Sequence, residues 1–131
     1  MMRKPVSIVA ALLLAVLTAT TVMAHHSFAH FDQTKRITLT GTVKEFQFTN
    51  PHSWIYMEVG EEGAKPDGQP GEWAIEALSP NVLSRNGWKK NTLKPGDEIK
   101  VLINPARDGS RLGNLIQVTL PDGRTLGGGA G

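Results

Sequence analysis

The stretch Ile37-Thr38-Leu39-Thr40-Gly41-Thr42-Val43-Lys44-Glu45-Phe46-Gln47-Phe48 decides how the rest of the chain is read. Ile37, Leu39, Gly41 and Val43 alternate with Thr38, Thr40, Thr42 and Lys44. That is the period of a half-buried strand, whose successive side chains point to opposite faces. The apolar phase then slips by one residue, to Phe46 and Phe48. One extra residue near Lys44–Glu45 accounts for the slip as a β-bulge, which bends a strand and sharpens its curvature.

Downstream, short strand patterns alternate with strong turn signals. Thr49-Asn50-Pro51-His52 is a turn, because proline favours turn positions and supplies no ladder N–H. Trp54–Val59 is apolar on both faces, with Ile55, Met57 and Val59 on one and Trp54 and Tyr56 on the other. Gly60–Gly71 reads as a charged, Gly/Pro-rich loop, and Glu72–Leu78 as a third strand with Trp73, Ile75 and Ala77 facing the core. Ser79-Pro80 opens a short helix, with serine as N-cap and proline in the first helical position. Gly87 closes it, placing Trp88 to pack back on Leu83 in a Schellman ending. After the Pro95-Gly96 turn, Ile99, Val101 and Ile103 mark a fourth strand, and Ile116, Val118 and Leu120 a fifth. Three strands, a helix and two strands, the first strand bulged, give an all-β domain of the five-stranded OB-like barrel type, helix between strands three and four. A small sandwich or roll has the same element count and stays open as the alternative.

Working outward to the N-terminus, Arg3 and Lys4 precede an unbroken apolar run from Ile8 to Leu17, and Val22-Met23-Ala24 supplies small residues before a cut. This is the architecture of a cleavable secretory signal over residues 1–24. The apolar run is too short to span a bilayer, which takes ~20 residues, so no stable membrane span is expected after processing. Removing it leaves 107 residues, enough for one domain, with twelve basic and twelve acidic residues in balance. The basic pI of about 9.1 thus belongs largely to the signal and gives no argument for nucleic acid. The chain has no cysteine, which removes disulfides, thiolate sites and a cysteine nucleophile. The expected organisation is the signal, a His-rich segment over 25–36, the barrel over 37–126, and a disordered Gly-rich tail over 127–131.

His25-His26-Ser27-Phe28, Gly41-Thr42-Val43, Asn50-Pro51-His52-Ser53-Trp54, Ser79-Pro80-Asn81-Val82-Leu83, Gly87-Trp88, Lys94-Pro95-Gly96-Asp97 and Pro105-Ala106-Arg107-Asp108-Gly109 occur in that order. In combination they resemble a family of small periplasmic bacterial proteins known only as a domain of unknown function. The resemblance covers nearly the whole mature chain and implies export and a compact β domain. It implies no activity, substrate or site residue.

Cleavage after Ala24 would make His25 the new N-terminus, where a free α-amine and its own imidazole form a chelate. His26 offers a competing chelate through the amine, the intervening amide and its ring, and His30 lies four residues on, the spacing of one helix face. Such nitrogen donors suit Cu(II) best, with Zn(II) or Ni(II) as alternatives. The same histidines also read simply as polar residues of a frayed terminus. His52 stands at the other end of strand one, so its joining them is not implied by spacing. A histidine beside Asn-Pro also reads as a turn residue bonded to backbone.

The second candidate site is the outer face of strand two, where Trp54 and Tyr56 alternate with core residues and Glu58 continues the row. OB barrels bind ligands across strands two and three, so this face suits a periplasmic protein partner or a small ligand, unless the helix or the lead-in over 25–36 covers it. Nucleic acid is a poor match at zero net charge. Catalysis has little support. Ser27, His30 and Asp32 carry triad side chains in a polar segment, yet no G-x-S-x-G pattern occurs. Glu45, Glu58, Glu72 and Glu76 are scattered along strands, and the terminal glycines precede no helix that would make a phosphate loop.

Overall fold

A computed structural model describes residues 29–128. The signal segment, His25, His26 and residues 129–131 lie outside them. The chain divides into two units at His30/Phe31, and the barrel belongs to the second.

Among the described residues, six strands and two short helices follow in order: β1 (Ile37–Gln47), β2 (Trp54–Val59), α1 (Glu61–Ala64), β3 (Gly71–Glu76), α2 (Pro80–Arg85), β4 (Glu98–Pro105), β5 (Leu112–Thr119) and β6 (Thr125–Gly127). β1 pairs antiparallel with β2 along its second half and with β4 along its first, as its length and bend require. β2 pairs with β3, β4 with β5, and β3 closes the circuit by running parallel to β5. Closure in the order β1-β2-β3-β5-β4, with α2 between β3 and β4, makes this an OB-like barrel and excludes an open roll or a two-sheet sandwich.

The bulge falls where the phase slip places it: Val43 faces Met57 and Glu45 faces Tyr56, leaving Lys44 as the extra residue. A second bulge departs from the sequence pattern. Ile103 pairs with Leu115 and Leu102 with Gln117, so Ile116 is unpaired in the ladder. Leu115, not Ile116, therefore enters the core. Alternation cannot reveal this, because Leu115 and Ile116 are both aliphatic and either parity scores alike.

Inside the barrel, Leu39, Val43, Ile55, Met57, Ile75, Leu83, Val101, Ile103, Leu115 and Val118 are essentially inaccessible. α2 seals one end. Ser79 Oγ accepts the Val82 N–H at its start. At its other end the Gly87 and Trp88 N–H groups donate to the Ser84 and Leu83 carbonyls, with Gly87 at φ +89°. These are the paired bonds of a Schellman ending. They turn Trp88 back into the core, 1 % exposed, against Phe46.

Three further expectations need correction. The loop after β2 contains α1, whose Gly63 packs so closely on β1 that a Cβ there would overlap the Thr40 carbonyl oxygen. The barrel unit begins before Ile37, because Phe31 is buried and bridges Ala106. The Gly-rich tail is not loose from its first residue: Gly127 ends β6 on β5, Trp88 Nε1–H donates to its carbonyl at 2.8 Å, and the Gly128 N–H donates to Ile116. The bulged Ile116 carbonyl thus finds its partner outside the barrel circuit.

Candidate aromatic and acidic face of the barrel

β2 lies between β1 and β3 with both edges paired, so its backbone groups are spent and only side chains are offered to the outside. Ser53, Ile55, Met57 and Val59 point inward and are buried. His52, Trp54 and Tyr56 take the opposite parity and are half-buried, and Glu58 is exposed. The Trp54 and Tyr56 rings stand 6.4 Å apart between centroids with planes 19° from parallel. Neither ring belongs to the buried core. Trp73 and Trp88, by contrast, are buried at 2 % and 1 %.

Pairing gathers around these rings the carboxylates that look scattered in sequence. Glu45 is opposite Tyr56, Glu76 opposite Trp54, and Glu58 directly opposite Glu72. Like charges directly opposite on a sheet repel. The Lys44 bulge answers this, since its Nζ reaches past β2 to Glu72 Oε2 at 2.6 Å. The Glu72 hydrogen bond and charge, with Glu58 adding to them, raise the Lys44 ammonium above its usual 10.5. At the other end of the row His52 Nδ1 bonds the Glu76 carboxylate, and Gln47 Nε2–H donates to Glu45 Oε1 at 3.0 Å. Glu45, Glu58, Glu72 and Glu76 thus share this face with Lys44 and His52, and at its edge Arg111 Nε–H donates to the Glu72 carbonyl. The sequence pattern placed Trp54, Tyr56 and Glu58 on one outward row, and strand pairing adds Glu45, Glu72 and Glu76 beside it. The parity of Glu72 and Glu76 in β3 was the available signal.

The histidines separate in what can be said of them. His25 and His26 lie outside the described residues, and His30 is exposed. His52 is satisfied by a carboxylate, where backbone was the expectation. Among the described residues, no three side chains of His, Asp or Glu converge in a manner that would hold a metal ion. Beside His52, the Ser53 hydroxyl is buried with no hydrogen-bond partner among the described residues.

A cleft of about 540 Å³ opens where residues 32–37 meet the loops after β2 and β4, with Asp32, Lys35, Arg36, Asp67, Arg107 and Ser110 on its walls. Its charges nearly cancel. Asp32 is held below the usual 3.8 chiefly by the Thr34 side-chain and backbone hydrogen bonds, with help from Arg107 and Lys35. This is the chemistry of an Asx-type turn fastening the lead-in.

The circuit and the outward-facing row on β2 and β3 define the protein as a small OB-like β-barrel. The chain belongs to a family of unknown function, DUF6152, whose model matches residues 12–115. Among curated proteins no sequence matches it. Similar solved structures include TiaS in complex with a transfer RNA and ATP, at TM-score 0.46 and 18 % identity, over 69 % of this chain and 19 % of that one. The chain therefore spans about a fifth of the length of that protein. They also include Rim1, a mitochondrial single-stranded DNA binding protein of S. cerevisiae, at TM-score 0.46 and 15 % identity, over 66 % of this chain and 92 % of that one.

Proposed function

We propose that this is an exported, periplasmic binding module without catalytic chemistry, and that its ligand or protein partner seats on the outer face of β1, β2 and β3. The observation that carries the reading is the near-parallel Trp54–Tyr56 pair, half-exposed on a strand with no free backbone. Two large rings held together on a rigid sheet form a stacking platform at little entropic cost, since the strand has already ordered them. Duplex or single-stranded nucleic acid is disfavoured, because a polyanion would meet the carboxylates of Glu45, Glu58, Glu72 and Glu76.

The test has two parts. With Trp73→Phe plus Trp88→Phe, Trp54 is the remaining tryptophan, and acrylamide should quench its fluorescence readily. A panel of an arginine-bearing peptide, a glutamate-bearing peptide, a neutral oligosaccharide and an oligothymidylate is then titrated into wild type and into Trp54→Ala plus Tyr56→Ala. At least one probe should bind the wild type and lose its affinity in the variant. Equal binding by both proteins, or a shielded Trp54, would sink the reading.

The His-rich segment carries a second proposal, Cu(II) or Zn(II) binding by His25 and His26 with His30 as a third ligand. Its support is the amine and imidazole that cleavage after Ala24 would bring together.

A further inference from the structure

We infer that the occupant of this face is an extended, positively charged peptide segment of a partner protein, with arginine or lysine at alternate positions. The inference deepens the binding reading above and rests on it. Three observations lead there.

The first is charge. Around the Trp54–Tyr56 pair, Glu45 and Glu76 sit directly across the two ladders from the rings, and Glu58 and Glu72 extend the row. Lys44 and His52 each engage one carboxylate, Glu72 and Glu76. The Glu58 carboxylate makes no hydrogen bond or ion pair among the described residues beyond its long-range attraction to Lys44. An aromatic face rimmed by carboxylates attracts cations twice over, through the negative ring faces and through direct charge. A guanidinium does both, stacking flat on an indole while its N–H groups reach a carboxylate.

The second is spacing. Trp54, Tyr56 and Glu58 recur every second residue on β2, with His52 two residues before Trp54, so the side chains on the strand rise at about 6–7 Å intervals. The alternate side chains of an extended peptide repeat at the same interval. A peptide lying along β2 with basic residues two apart meets an aromatic and a carboxylate at each step.

The third is the saturated backbone of β2. A peptide here cannot add to the sheet as a further strand, which needs an unpaired edge. Recognition falls to side chains alone, where charge and stacking supply the specificity. Binding should accordingly weaken as salt rises.

The test uses the wild-type protein and a fluorescein-labelled Gly-Arg-Gly-Arg-Gly peptide, with the glutamate and glutamine versions as controls, followed by anisotropy. Amide spectra of the ¹⁵N-labelled protein locate the contact. The arginine peptide should bind and shift the amides of Trp54, Tyr56 and Ala74. Its affinity should fall about tenfold in Trp54→Ala, and by a similar factor in Glu45→Gln plus Glu58→Gln, whose side chains keep their size and lose their charge. Rising salt should release it. If the glutamine peptide binds as well as the arginine peptide and depends on Trp54, the charge inference is overturned while the binding face survives. If the arginine peptide shifts none of these amides at about 1 mM, the weak end of specific association, the inference is overturned directly. Loss of every probe's binding to this face would overturn the underlying reading as well.

Discussion

Gly41→Ala tests whether the barrel is held as described, because at Gly41 β1 passes from its partner β4 to its partner β2. Gly41 pairs with Ile99, and its neighbour Thr42 pairs with both Glu98 and Glu58. A Cβ at this position would overlap the Glu58 carbonyl oxygen and stand 3.0 Å from its carbon and 3.1 Å from Met57 Cε. Met57 can turn aside, but a carbonyl fixed in the sheet cannot move without opening the strand crossing. Overpacking of this kind costs about 1–3 kcal/mol, and the upper part of that range applies where backbone must yield. Alanine's smaller unfolded-state entropy returns about 0.4–1 kcal/mol. The net loss is about 2 kcal/mol, which lowers the melting temperature of a domain this size by roughly 10 °C. Gly60→Ala is the control, since nothing lies within 4 Å of its Cβ position. Its stability should stay within about 1 kcal/mol of wild type. Thermal melts by circular dichroism give both values, and amide spectra of Gly41→Ala should show Glu58 displaced. A Gly41→Ala protein melting within about 2 °C of wild type, or a control equally damaged, would refute the close approach of β1 and β2.

Trp88→Ala, which empties a buried site and removes the bond to Gly127, should cost about 3–5 kcal/mol in denaturant unfolding. Trp54→Ala should cost less than half as much, and equal costs would place Trp54 in the core. Ser53→Ala removes a buried hydroxyl without a partner among the described residues, so stability should hold or rise by about 1 kcal/mol; a marked loss would reveal a partner for that oxygen. The Thr34 amide should titrate with a midpoint below 3.8, because Asp32 is held below that value chiefly by Thr34. A lowered carboxyl stabilises the folded state above the ordinary value and loses that contribution as pH falls through the folded one. Asp32→Ala should abolish the titration. For the His-rich segment, protein purified from the periplasm should begin at His25 by intact mass and give a Cu(II) EPR signal of nitrogen ligation. Affinity should fall as pH drops through ~6.5, and His25→Ala plus His26→Ala should lose it; equal copper binding by both proteins ends that proposal.

The sequence alone determined what depends on local pattern. Alternation placed β1 to β4, and the phase slip at Lys44–Glu45 located the bulge, because side-chain parity is a property of neighbouring residues. Ser79-Pro80 and Gly87 bounded α2 through capping chemistry that acts within a single turn. The outward parity of Trp54 and Tyr56 was legible for the same reason. Tertiary structure alone decided everything that needs two distant segments. It chose Leu115 over Ile116 for the core, since a bulge between two aliphatic residues leaves no trace in their pattern. It seated β6 on β5 through carbonyls that the sequence cannot assign. Above all, it brought Glu45, Glu72 and Glu76 to the rings of Trp54 and Tyr56. Residues far apart in the chain become cross-strand neighbours about 5 Å apart through strand pairing, and register is set by the whole barrel closing, not by any one strand.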